Sequence, residues 1–233
     1  MKEQKKLNKG FNIKVPFEIL SNKELSENEK LILSLDYTFN SKKKFNVMTH
    51  IDVGELFSLH PNIVGLCRKS LIAKGYLIKD NKDKRIYYLT DKLKKFEIPK
   101  IDEEAVISLC IIPFEIYNHT NLTTGSKLLW GEYNTMSNSQ KGYFKKRTTT
   151  SEKMNISIGS ITNWTKQLFT YGFLEEYEVK SEYYGKQKFV RTIKFKREKP
   201  VDELDNVFDN DVISNSKKSK SVDDYKSDIL GPI

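Results

Sequence analysis

At 233 residues, with 38% hydrophobic and 30% charged positions, the chain exceeds the roughly 100–150-residue mode of single domains and favours two small domains, each able to bury a core. No apolar run approaches the roughly 18–20 residues that span a bilayer, and MKEQKKLNKG is followed by no signal-like apolar block; membrane and secretory classes are set aside and a cytoplasmic location is expected. The formal charge of +9 is uneven: residues 1–100 hold 21 Lys and Arg against 12 Asp and Glu, residues 101–200 hold 15 against 11, and the last 33 hold 4 against 8. A basic body suits a polyanionic partner, because cations that neutralise phosphates release counterions.

Residues 1–10 read as a basic arm. From residue 11, FNIKV is β-rich and ends at Pro16, which biases its predecessor toward extended geometry. In LSENEKLILSLDYTF, Ser26 is an N-cap, Glu29 completes a capping box, and Leu31, Leu35 and Phe39 recur at helical spacing. THIDVGELF and HPNIVGLCRKSLIAKG then predict a helix, a turn and a second helix, with Pro61 in a first turn capped by His60 and Gly75 as the terminating glycine. An apolar strand, the polar turn DNKDKR and the strand IYYLT complete a unit over 11–98.

The same order recurs over 99–199. Pro-Phe-Glu-Ile begins at Pro16 and again at Pro113, an offset of 97 (113 − 16), and Leu25/Leu122, Lys30/Lys127, Leu31/Leu128, Val64/Ile161, Leu71/Leu168, Gly75/Gly172 and Leu77/Leu174 share it. A constant shift from end to end is the mark of one duplicated unit. In the second copy AVISLCII is the strand, and LTTGSKLLWGEYNTM is a helix capped by Thr123 and weakened by Gly125 and Gly131. TTTSEKM and SIGSITNWTKQLFTYG form the helix-turn-helix with Ser157 as cap, and a hairpin surrounds the polar KSEYYGKQK. A hairpin directly behind a helix-turn-helix is the layout of a winged helix. The expected fold class is therefore α+β: two tandem winged-helix domains, then an acidic, disordered tail over 200–233.

The second copy carries the more specific motifs: Ile112-Pro113 closing a strand, Leu122-Thr123, Ser126-Lys127-Leu128-Leu129, and the stretch from Leu168 through Gly172 to Leu174. Over about 90 residues it resembles the winged-helix domain of replication initiators and related DNA-binding proteins of plasmids and phages of low-GC Gram-positive bacteria. The first copy departs from that pattern, with Asn28-Glu29-Lys30 before Leu31. The resemblance implies duplex DNA as partner, a role in replication initiation, recruitment of a host replication protein, and, by analogy with tandem initiators, a homodimer formed through the first domain. A transcription regulator built from the same domains and a winged-helix protein-interaction adaptor are the alternatives.

On the second reading helix, Ile161, Trp164 and Leu168 share the face expected to be buried. The opposite face offers Gly159, Ser160, Thr162, Asn163 and Lys166 for base contacts, and Ile158 for a thymine methyl; Asn pairs bidentately with adenine, and hydroxyls serve several base edges. Ser157 and the free amides of the helix start suit a phosphate. Lys145, Lys146 and Arg147 before the first helix, and Lys186 and Lys188 near the wing tip, are assigned to the DNA backbone. The first reading helix, with Asn62, Gly65 and Leu66 outermost, is a poor base reader; Lys42, Lys43, Lys44, Lys69, Lys84 and Arg85 instead supply phosphate contacts there, or its Leu66 face packs on another subunit.

No catalytic motif is apparent and no enzyme is expected. TTGSKLL fails as a phosphate loop because Thr120 stands where glycine is required and Ser126 separates Gly125 from Lys127. His50, His60 and His119 share no metal spacing with a Cys, Asp or Glu cluster, and Cys67 and Cys110 read as small buried hydrophobes, so no metal or cofactor is assigned.

Overall fold

Ile13–Pro16 forms strand β1, and Pro16 hands the chain straight to a one-turn helix, α1 (Phe17–Leu20). The repeated phrase is thus a strand-to-helix corner, a turn of helix that periodicity did not signal. The structure, a computed structural model, describes residues 11–40, 46–94, 109–136, 142–181 and 185–195; the arm 1–10, the tail 200–233 and Lys42, Lys43 and Lys44 lie outside them. Helix α2 (Glu27–Asn40) begins with the expected capping box: Ser26 N donates to Glu29 Oε2 at 2.7 Å, and Glu29 N to Ser26 Oγ at 3.4 Å. Its Leu31, Ile32, Leu33 and Leu35 are wholly buried, since a helix apolar on several sides must be covered on all of them.

Helix α3 (His50–Phe57) starts from a capping box between Thr49 and Asp52, and α4 (Pro61–Ala73) from His60, whose ring accepts from Asn62 N. Gly75 ends α4 at φ 75°, a conformation open to a residue without a Cβ. Strands β2 (Leu77–Lys79) and β3 (Tyr87–Leu89) form the hairpin, followed by α5 (Asp91–Lys94).

The second half repeats the series: β4 (Leu109–Ile112), α6 (Phe114–Tyr117), α7 (Thr124–Asn134), α8 (Arg147–Met154), α9 (Ile158–Thr170), β5 (Leu174–Ser181) and β6 (Gly185–Thr192). Its hairpin is longer than expected, because residues assigned to the polar turn pair as strand, with Lys180 opposite Lys186 and Ser181 opposite Gly185. The two glycines of α7 are packing requirements. A Cβ on Gly131 would lie 2.9 Å from Ile112 Cγ1, and one on Gly125 would overlap Trp164.

The two halves are joined to each other. β1 pairs antiparallel with β4 in the register Ile13↔Ile112, Lys14↔Ile111, Val15↔Cys110 and Pro16↔Leu109. Because the 97-residue shift carries Ile13 onto Cys110 and Val15 onto Ile112, the ladder is self-complementary about the Lys14–Ile111 pair, as an isologous contact between two subunits is. Helix α2 packs on β1, α4 and α7, and α7 packs in the same way on β4, α9 and α2. Both halves therefore fall within one compact unit, Asn12–Lys196, an α+β assembly whose sheets are two-stranded and antiparallel.

The cores differ at matched positions. The first half buries Asp36 and Arg68: Asp36 Oδ1 accepts from Asn46 Nδ2 at 2.6 Å, Arg68 Nη1 donates to Met48 O at 3.0 Å, and the guanidinium lies over the Tyr87 ring at 4.4 Å. Burial pushes the Asp36 carboxyl up to about 6, against the pull of Arg68 and Asn46. In the second half the equivalent residues are Tyr133 and Thr165, joined hydroxyl to hydroxyl at 2.8 Å.

Candidate nucleic-acid interface

Helix α9 begins where its cap dictates: Ser160 N donates to Ser157 Oγ at 3.0 Å, leaving the cap residue exposed. Ile161 and Leu168 are wholly buried and Trp164 is half-buried, its indole covering Gly125. The outer face carries Ile158, Gly159, Asn163 and Lys166, all exposed. A Cβ on Gly159 would meet nothing nearer than Ser157 Oγ at 3.7 Å, so this spot is open to a close ligand. Ser160 and Thr162 are half-buried and already engaged: Ser160 Oγ lies 2.9 Å from Ser157 Oγ, and Thr162 Oγ1 donates to Ile158 O at 3.0 Å. Thr162 Oγ1 also accepts from Arg147 Nη1 at 3.4 Å, which ties the start of α8 to α9.

Among the cations assigned to phosphates, Lys146 and Arg147 stand exposed at the N-terminus of α8, with Lys146 as its cap residue. Lys145 is half-buried and paired. Glu132 is wholly buried, and Lys145 Nζ lies 3.3 Å and Lys153 Nζ 2.7 Å from its carboxylate, to which Tyr143 Oη also donates at 3.0 Å. A buried carboxylate needs such partners, and Lys145 is one of them. Burial beside Glu132 pushes the Tyr143 phenol and the Cys110 thiol up. Lys186 and Lys188 lie on β6, opposite Lys180 and Glu178, with side chains outside the described residues.

In the first half Lys69, Lys84 and Arg85 are exposed, and Arg85 is also paired with Asp83 at 2.8 Å. Tyr87 is buried under Arg68, and Tyr88 Oη donates to Asp80 at 2.9 Å, so both pack the hairpin rather than offering stacking surfaces. The outer face differs in kind from its counterpart. Leu66 is 65% exposed and Ile51 59%, with Ile63 and Ile78 also at the surface; the residues 97 positions on are Asn163, Thr148, Ser160 and Glu175. Four matched positions are thus apolar in one half and polar or charged in the other.

Two lysines that sequence reasoning left unassigned lie inside the molecule. Lys30 Nζ donates to Met154 O at 3.1 Å and Lys127 Nζ to Phe57 O at 2.7 Å, each across the boundary between the halves. The available signal was a lysine matched between the copies and followed by apolar residues, in EKLIL and SKLLW. Among the described residues no cluster of His, Cys, Asp and Glu is suited to a metal, and no helix is long and apolar enough to cross a membrane. No protein-family model, curated protein or solved structure matches the chain.

Proposed function

We propose that the chain binds duplex DNA through two winged helices held in one unit, and that it serves replication initiation for a plasmid, phage or integrated element. One observation supports base reading by the second half: the outer face of α9 presents Gly159, Asn163 and Lys166 to solvent beside exposed Lys146 and Arg147. An exposed amide on a helix flanked by cations is the chemistry that pairs with base edges while phosphates fix the register. The apolar outer face of α4 favours a protein contact for the first half, either subunit pairing or a host replication protein, over base readout.

Selection of bound duplexes from a random pool tests this directly. Enrichment of a defined sequence is expected; recovery of unenriched DNA would contradict base reading. A plasmid carrying the gene with its flanking DNA should then replicate in a suitable host, whereas a transcription regulator with the same contacts would only alter a nearby promoter. The exposed Ile51 and Leu66 favour one further reading, a protein-interaction adaptor, which predicts little duplex affinity at physiological salt.

A further inference from the structure

Among the described residues, Ser58 (φ 56°) and Asn155 (φ 55°) are the non-glycine residues with positive φ. They are 97 apart, and each is the turn residue that ends the first helix of a pair, α3 or α8, and leads into the reading helix, α4 or α9. A left-handed residue with a Cβ costs on the order of 1–2 kcal/mol, so each turn has to be held by its surroundings. In both cases a buried lysine of the other half adds to the turn's own backbone bonds. Lys127 of α7 donates to Phe57 O, the last carbonyl of α3, and Lys30 of α2 donates to Met154 O, the last carbonyl of α8.

Donor and acceptor both obey the shift, since 127 − 30 and 154 − 57 are each 97. The lysines are 1% and 4% exposed. An ammonium at a helix C-terminus meets carbonyls without intrahelical partners and the negative end of the dipole. For α3 the terminal carbonyls are fully accounted for. Gly54 O accepts from Leu59 N at 2.8 Å, Glu55 O and Leu56 O accept from Asn118 Nδ2 at 3.3 and 2.9 Å, and Phe57 O accepts from Lys127. Three of these four bonds are donated by the second half.

We propose that Lys30 and Lys127 are reciprocal positioning residues, each fixing the turn that leads into the other half's reading helix, so that the two helix-turn-helix elements hold one mutual arrangement. The consequence for DNA rests on the function proposed above; the reciprocity itself does not. Amide hydrogen exchange of the full chain separates the two. Lys30→Met should speed exchange about tenfold or more across Met154–Ser157 in the second half, and Lys127→Met across Phe57–His60 in the first, the scale set by losing one charged hydrogen bond. Acceleration confined to the half carrying the substitution, or uniform over the chain, would overturn the proposal. Should Lys127→Met fail to fold, Asn118→Ala serves in its place and should loosen Glu55–His60 alone; should Lys30→Met fail, Lys30→Gln replaces it with the same expectation at Met154–Ser157, and unchanged exchange in either would count equally against the proposal. With a selected duplex and a random one, Lys30→Met should lower the ratio of the two affinities at least fivefold, and an unchanged ratio would remove the link to readout. Crosswise exchange in a chain with no affinity for duplex would leave the reciprocity standing and the DNA-binding function refuted.

Discussion

Gly125 of α7 lies so close beneath Trp164 of α9 that a Cβ there would overlap the indole. This contact locks α9 to α7, and Trp130 Nε1, bonded to Phe173 O at 3.1 Å, secures the far end. Gly125→Ala gains up to about 1 kcal/mol in helix propensity but displaces the indole, so overpacking should win and stability should fall by about 1–3 kcal/mol in denaturant unfolding. Gly159→Ala, on the open outer face, should leave stability unchanged or slightly raised. The opposite order would mean that α9 does not seat on α7 as described.

Leu66 and Asn163 occupy equivalent places on the outer faces of α4 and α9, and their substitution should have opposite consequences. Asn163→Ala should cost about 1–3 kcal/mol at a selected site and relax its preference, while Lys146→Ala should weaken all duplexes alike. Leu66→Ser should shift unfolding by no more than about 0.5 kcal/mol, because its side chain is mostly in solvent, and should leave duplex affinity intact. A loss on DNA comparable to that of Asn163→Ala would make α4 a second base reader.

Burial sets a pH dependence at Asp36. Its folded value of about 6 lies above the ordinary 3.8, so between those values the folded chain holds a proton that the unfolded chain has lost. Stability from this group therefore falls as pH rises from about 4 to 6, by something on the order of 3 kcal/mol, and is level above. Comparing wild type with Asp36→Asn across pH 4–8 in urea should show the difference growing up to about pH 6; a constant difference would mean that Asp36 is ionised throughout.

Lys127 acts with the opposite slope. Burial lowers it to about 8 from 10.5, so between these values the unfolded chain binds the proton and the folded chain does not. Stability from this group rises with pH across that window. Lys127→Met should remove this part of the slope while losing the bond to Phe57 O, visible as stabilities a constant distance apart below about pH 8 and separating above it. Parallel curves throughout would show that the amine keeps its ordinary protonation.

Local signals in the sequence were read well because their causes are local. Ser26, His60, Thr123 and Ser157 cap the helices at the expected positions, and Gly75 and Gly172 take the positive φ that terminates α4 and α9. The constant 97-residue offset anticipated two equivalent runs of elements. The join between the halves was not legible, since the edges of β1 and β4 carry no mark of the strand they pair with, and register is a matter of partner as well as pattern. Lysine is ordinarily a surface residue, as its hydration requires; Lys30 and Lys127 depart from that because a helix C-terminus from the other half meets each ammonium. The pairing of Lys145 with Glu132 was not legible for the related reason that Glu132, buried in α7, gave no sign of needing a cation. Gly125 and Gly131 counted against a helix, whereas side chains distant in the chain, Trp164 and Ile112, explain them.

Duplex affinity as a function of salt tests DNA binding most directly. For the full chain on a selected site, log K should fall linearly with log salt, with a slope of about −0.9 for each phosphate neutralised, and Lys146→Ala should make that slope shallower by about 1. An affinity that is negligible near 0.15 M salt, or one indifferent to salt and to Lys146, would contradict a DNA-binding role for the chain.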